Sequence, residues 1–152
     1  PAQVELWRAL VQAGRIAESE AALQAALVHH PASPQLLLLR GIELFDDEKW
    51  NEAMGWFERS IAHQADNAAA HFHLGLCQAR RDDRTAAIES LRTAVAFEPD
   101  HARAHTALGK LLLQNKALPA AVEHLRTAVK FAPGDPEPRK LLEEAEQAHN
   151  RN

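Results

Sequence analysis

The chain has 152 residues, with 17 lysines and arginines against 21 aspartates and glutamates, a formal net charge of -4 and a pI of about 6.1. That balance argues against nucleic acid or an anionic membrane surface as a partner, since both ask for a strongly basic face. No apolar run approaches the ~20 residues that span a bilayer, so no direct membrane insertion is expected.

Thirty alanines, six glycines and no tyrosine favour helix, because alanine has the lowest helix cost. In chain order, apolar residues recur at helical spacing in blocks separated by short polar turns. The pattern predicts helices near 2–13 and 17–29, 35–46 and 50–63, 69–80 and 85–97, and 103–114 and 119–131. Turns within these pairs fall at Ala13-Gly14-Arg15, Asp46-Asp47-Glu48, Arg81-Asp82-Asp83 and Asn115-Lys116-Ala117. Pro119 sits at a helix start, where its missing N–H costs nothing. Residues 136–149 read as a capping helix: Pro136 and Pro138 start it, Leu141, Leu142 and Ala145 cover the preceding pair, and Glu143, Glu144 and Glu146 face water.

The pairs repeat every 34 residues, giving units 1–33, 34–67, 68–101 and 102–135. Glycine recurs at Gly41, Gly75 and Gly109, and small residues recur at Ser19, Ala53, Ala87 and Ala121. A bulky residue follows four positions later, at Leu23, Phe57, Leu91 and Leu125, and small residues return at Ala26, Ser60, Ala94 and Ala128. The units close at Pro31, Ala65, Pro99 and Pro133. A fixed period of this size signals a solenoid, in which each pair buries its remaining apolar face only against the next. Small residues let two helix axes cross closely, and the bulky residue one turn on fills the space beside the crossing.

These columns resemble the tetratricopeptide repeat, which joins a Leu-Gly to a later Ala, a bulky apolar residue and a terminal Pro. Leu74-Gly75, Ala87, Leu91 and Pro99 match it, as do Leu108-Gly109, Ala121, Leu125 and Pro133, and the resemblance covers residues 1–135. Trp7 replaces the first glycine and Ala65 the second proline, so the first unit is expected to pack differently or loosely and the second turn to be less rigid. The resemblance implies an all-α, right-handed superhelical solenoid of antiparallel helix pairs. It also implies that the first helix of each pair lines a concave face.

On that geometry three inward rows emerge: Val4, Leu38, Phe72, Thr106; then Arg8, Ile42, Leu76, Lys110; then Val11, Phe45, Ala79, Leu113. Leu38, Ile42, Phe45, Phe72 and Leu76 make an apolar centre, and Arg8, Arg80, Arg103 and Lys110 surround it. A solvent-facing stripe of that kind marks a partner site. The expected ligand is an apolar or amphipathic peptide or helix, held in a groove that also includes Val4 and Leu113. The lysine and asparagine with which relatives clamp acidic chaperone tails are absent, the corresponding residues being Val4, Arg8, Leu39 and His73, or Leu38, Ile42, His73 and Arg103.

No nucleophile, base and acid stand at a catalytic spacing, and no phosphate loop or HExxH occurs, so the chain reads as non-enzymatic, with no cofactor and no metal. His71, His73, His101 and His105 gather in the sequence, and stacking is expected to bring His71 near His105. No carboxylate completes a ligand set, and the cluster is expected to be catalytically and structurally silent. Trp50 and Trp56 are expected to pack between helices, and Trp7 to be partly exposed. Cys77 reads as a small buried hydrophobe, and one cysteine fits a reducing compartment, favouring the cytoplasm. The start at Pro1 is expected of a trimmed, processed or excised chain. The competing readings are a regulatory or substrate-recruiting domain of a larger enzyme, and a self-assembling module forming homo-oligomers.

Overall fold

A computed structural model describes residues 2–151, and all the regular structure among them is helical. The helices are α1 (Ala2–Gln12), α2 (Ile16–His29), α3 (Pro34–Asp46), α4 (Trp50–His63), α5 (Ala68–Arg80), α6 (Arg84–Phe97), α7 (Ala102–Gln114), α8 (Leu118–Phe131) and α9 (Pro136–Asn150). Each boundary lies within one residue of the sequence-based expectation. Consecutive helices form antiparallel pairs, each pair stacks on the next, and the result is a right-handed α-solenoid closed at one end by α9.

Local chemistry sets the boundaries. The helices α3, α5, α7 and α9 each follow a capping residue, and these four lie 34 positions apart: Ser33 accepts from the Leu36 N–H, Asn67 from Ala70, His101 from Ala104 and Asp135 from Glu137. Each satisfies a first-turn donor that has no helical partner. Within each pair the chain turns through a left-handed residue, Gly14, Glu48, Asp82 or Lys116, with φ between 59° and 70°. The following N–H then closes on a carbonyl five residues back, as in Lys49 to Leu44 at 2.8 Å and Ala117 to Leu112 at 2.9 Å, which ties off the helix C-terminus.

The glycine column marks close crossings. A Cβ at Gly75 would stand 2.8 Å from Leu91 Cγ, and one at Gly109 would stand 2.6 Å from Leu125 Cγ. Leu91 and Leu125 are fully buried, as are Ala53, Ala87 and Ala121. Trp7 breaks this arrangement in the first unit. Its indole N–H donates to Glu43 Oε1 of α3 at 2.7 Å, and α1 buries only Leu10, where α3, α5 and α7 bury five to seven residues each.

The core runs through the stack and ends under α9, where Pro138 and Ala145 are buried and Leu141 and Leu142 half-buried. Glu143 and Glu144 face solvent, while the Glu146 carboxylate accepts from the Arg126 guanidinium at 2.7 Å. Cys77 is fully buried, which pushes its thiol up to about 11. No described helix is long and apolar enough to cross a membrane.

Candidate ligand-binding depression

On the concave side, α5 and α7 diverge around a depression of about 550 Å³, closed at one end by the start of α9. Its floor is apolar: Leu76 and Ala79 from α5, Ala107 and Leu111 from α7, with Phe72 and Leu91 beneath. Arg80, Arg103 and Lys110 stand at its rim as exposed cations, and Asp135 and Glu137 close the α9 side. Lys110 Nζ reaches Glu137 Oε1 at 3.4 Å. The Arg103 guanidinium lies 5.2 Å from the Phe72 ring centre and that of Arg80 lies 5.3 Å from Trp50. Both cations thus rest on aromatic faces, and among the described residues neither is paired with a carboxylate.

Of the sequence-derived site residues, the depression gathers Phe72, Leu76, Arg80, Arg103 and Lys110. The others are elsewhere. Leu38, Ile42 and Phe45 are half-buried and pack against the core cluster built on Phe57 and Cys77. Leu113 is half-buried against the core of the last two units. Val4 lines a separate cavity of about 470 Å³ near the first turn of α3, and exposed Arg8 pairs with Glu5 at 3.1 Å.

Phe72 requires the largest correction. It is 3% exposed, set among His73, His101 and the Arg103 guanidinium, and belongs to the core rather than to an open stripe. Its ring is therefore not part of an exposed surface between Leu38 and Leu76. Ala107, Asp135 and Glu137 were missed by the inward rows. Ala107 lies one position off a row, and the two acids arrive only because α9 folds back on α7.

The histidines are structural, contrary to expectation. His101 caps α7, and His71 and His105 each place Nε2 3.0 Å from the carbonyl oxygen of the preceding turn, at Ala65 and Pro99. Their rings do not pair with each other: His71 meets Phe97 and His105 meets His124. His73 lies among Phe45, Phe57 and Phe72 with Nδ1 buried and unbonded, and burial, with help from Arg103 and His101, lowers it to about 4. Among the described residues no three His, Cys, Asp or Glu side chains converge as metal ligands. Trp50 packs edge-on against Phe45 at 4.8 Å, and Trp56 carries the Arg59 guanidinium at 4.4 Å.

A family model described as tetratricopeptide repeat matches residues 5–67, 38–97 and 79–136. No curated protein matches the chain. Among solved structures, the fold is similar to pilF of Pseudomonas aeruginosa, with a TM-score of 0.86 and 18% identity over 99% of this chain and 68% of that one. It is also similar to a chain of the APC/C hetero-tetramer Cut9-Hcn1, with a TM-score of 0.83 and 23% identity over 94% of this chain, which spans only 29% of that one. A third is the first TPR of Spaghetti (RPAP3) bound to the HSP90 peptide SRMEEVD, with a TM-score of 0.74 and 18% identity over 78% and 94% of the two chains. At these identities the likeness is one of fold.

Proposed function

The chain belongs to the tetratricopeptide repeat family, and from that premise we propose that it is a non-enzymatic scaffold holding a segment of another protein on its concave face. The contact lies in the depression between α5 and α7. An apolar side chain of the ligand sits against Leu76, Ala79 and Ala107, and acidic flanking residues meet Arg80 and Arg103. The observation that carries this reading is the pairing of an apolar floor with two arginines that have no carboxylate partner among the described residues. Burial of an apolar anchor supplies affinity, and the charged rim supplies register and exclusion of wrong partners. The similar Spaghetti domain is itself bound to a peptide, so an array of this fold has the shape to hold one.

Short peptides selected from a displayed random library test the proposal, with affinity read by fluorescence anisotropy. Ala107→Arg, which fills the depression with a long side chain, and Arg103→Glu, which reverses the rim, should each weaken binding tenfold or more at unchanged helicity. Glu89→Lys on the convex face should bind as wild type. Equal affinity in all four proteins, or a library that yields nothing above scrambled peptide, contradicts the reading.

A further inference from the structure

His105 on α7 and His124 on α8 place their Nδ1 atoms 3.0 Å apart, while His105 Nε2 lies 3.0 Å from the carbonyl oxygen of Pro99 in the α6–α7 turn. A carbonyl only accepts, so His105 carries its proton on Nε2 and offers a lone pair at Nδ1. His124 is therefore the donor, through Nδ1–H. The bonds run in one direction, from His124 to His105 to Pro99, with a single acceptor nitrogen at the centre of a ring that is 7% exposed.

One proton can be added at His124 Nε2 without breaking this chain. A second has only His105 Nδ1 to go to, and two N–H groups then face each other at bonding distance. The surroundings also resist the first charge. Burial is the main cause at both rings. At His124 the His105 ring and Arg92 on α6 add to this, and at His105 the cap residue His101 does, while Glu123 on α8 works against it at both rings and the Pro99 carbonyl does so at His105. α9, which also packs on α7 and α8, adds no charge to that set. Both rings consequently titrate below the ordinary imidazole range.

We propose that the His105–His124 bridge is an acid-operated latch of the fourth helix pair: charging both rings removes its only acceptor, and α8 with α9 then separates from α7 more readily. The other pairs lack it. The equivalent positions are Leu37 and Trp56 in the second unit and His71 and Ser90 in the third, where Ser90 Oγ donates to Gln78 instead. Because the folded rings are held neutral while unfolded ones take protons near pH 6.5, the latch is at full strength above that pH. It weakens as the pH falls below it. The latch stands independently of the ligand reading, although α7 is also one wall of the depression.

Two measurements on the whole chain test it: nitrogen-15 spectra of the histidine rings between pH 8 and 5, and amide hydrogen exchange at pH 7 and 5.5 corrected for intrinsic rates. The latch predicts the Nε2–H form of His105 and the Nδ1–H form of His124 at pH 8. It also predicts a fall in protection of α7 and α8, relative to α1 and α2, which carry neither the bridge nor His73, of about tenfold across that interval. In His124→Gln the side-chain amide still donates to His105 and one proton site is gone, so the fall should shrink severalfold. If that variant does not fold, the ring tautomers and the wild-type exchange ratio decide alone. The opposite tautomers, an equal loss of protection in both regions, or an undiminished fall in a folded His124→Gln would overturn the latch.

Discussion

At the scale of single residues, one substitution has opposite signs at two glycines. Gly55 is exposed inside α4, and a Cβ there meets nothing within 4 Å, so Gly55→Ala should raise stability by up to about 1 kcal/mol through helix propensity. Gly109 faces fully buried Leu125 across a crossing, and Gly109→Ala should lower stability by about 1–3 kcal/mol through overpacking. Urea unfolding of the two variants checks both signs. His73 supplies a pH dependence of its own. Its pKa is lowered to about 4 from an unfolded value near 6.5, so its neutral form supports the fold above pH 6.5. That support is lost as the pH falls from 6.5 toward 4, by about 3 kcal/mol in all. His73→Leu removes both the proton site and the unbonded buried Nδ1; it should raise stability at neutral pH and flatten the decline. An unchanged acid slope would show that another group causes the decline.

Among helices, periodicity made nearly every boundary legible because each pair must turn an apolar stripe toward its neighbour. The capping column escaped notice because Ser33, Asn67, His101 and Asp135 share no residue type, only an acceptor atom within reach of the first turn. The cap α9 was legible from Leu141, Leu142 and Ala145; Pro138, in its first turn as expected, is also buried, which the sequence did not reveal. Ending the chain at residue 135 should expose the apolar surface that α9 covers on α7 and α8. The expected result is a lower melting temperature and concentration-dependent aggregation, seen by circular dichroism and light scattering. A truncated chain that melts as the whole one does would remove α9 from the cap.

For the whole molecule, the burial of Phe72 was not legible because residues facing inward look alike in sequence whether the solenoid closes over them or opens. That outcome depends on how far successive first helices diverge, which no local pattern encodes. Leu38, Ile42 and Phe45 are half-buried against the core, while between α5 and α7 Leu76 and Ala79 line a depression. Phe72→Glu therefore tests packing rather than binding, since an unpaired charge at a 3% exposed site costs several kcal/mol of stability. The central claim is that ligand contact is confined to this opening. Its most direct test is the backbone amide spectrum of the chain titrated with the tightest library peptide. Shifts concentrated at Leu76, Ala79, Arg80, Arg103, Ala107 and Lys110 are predicted; shifts confined to the convex faces of α4 and α6 or to the first helix pair would contradict the account.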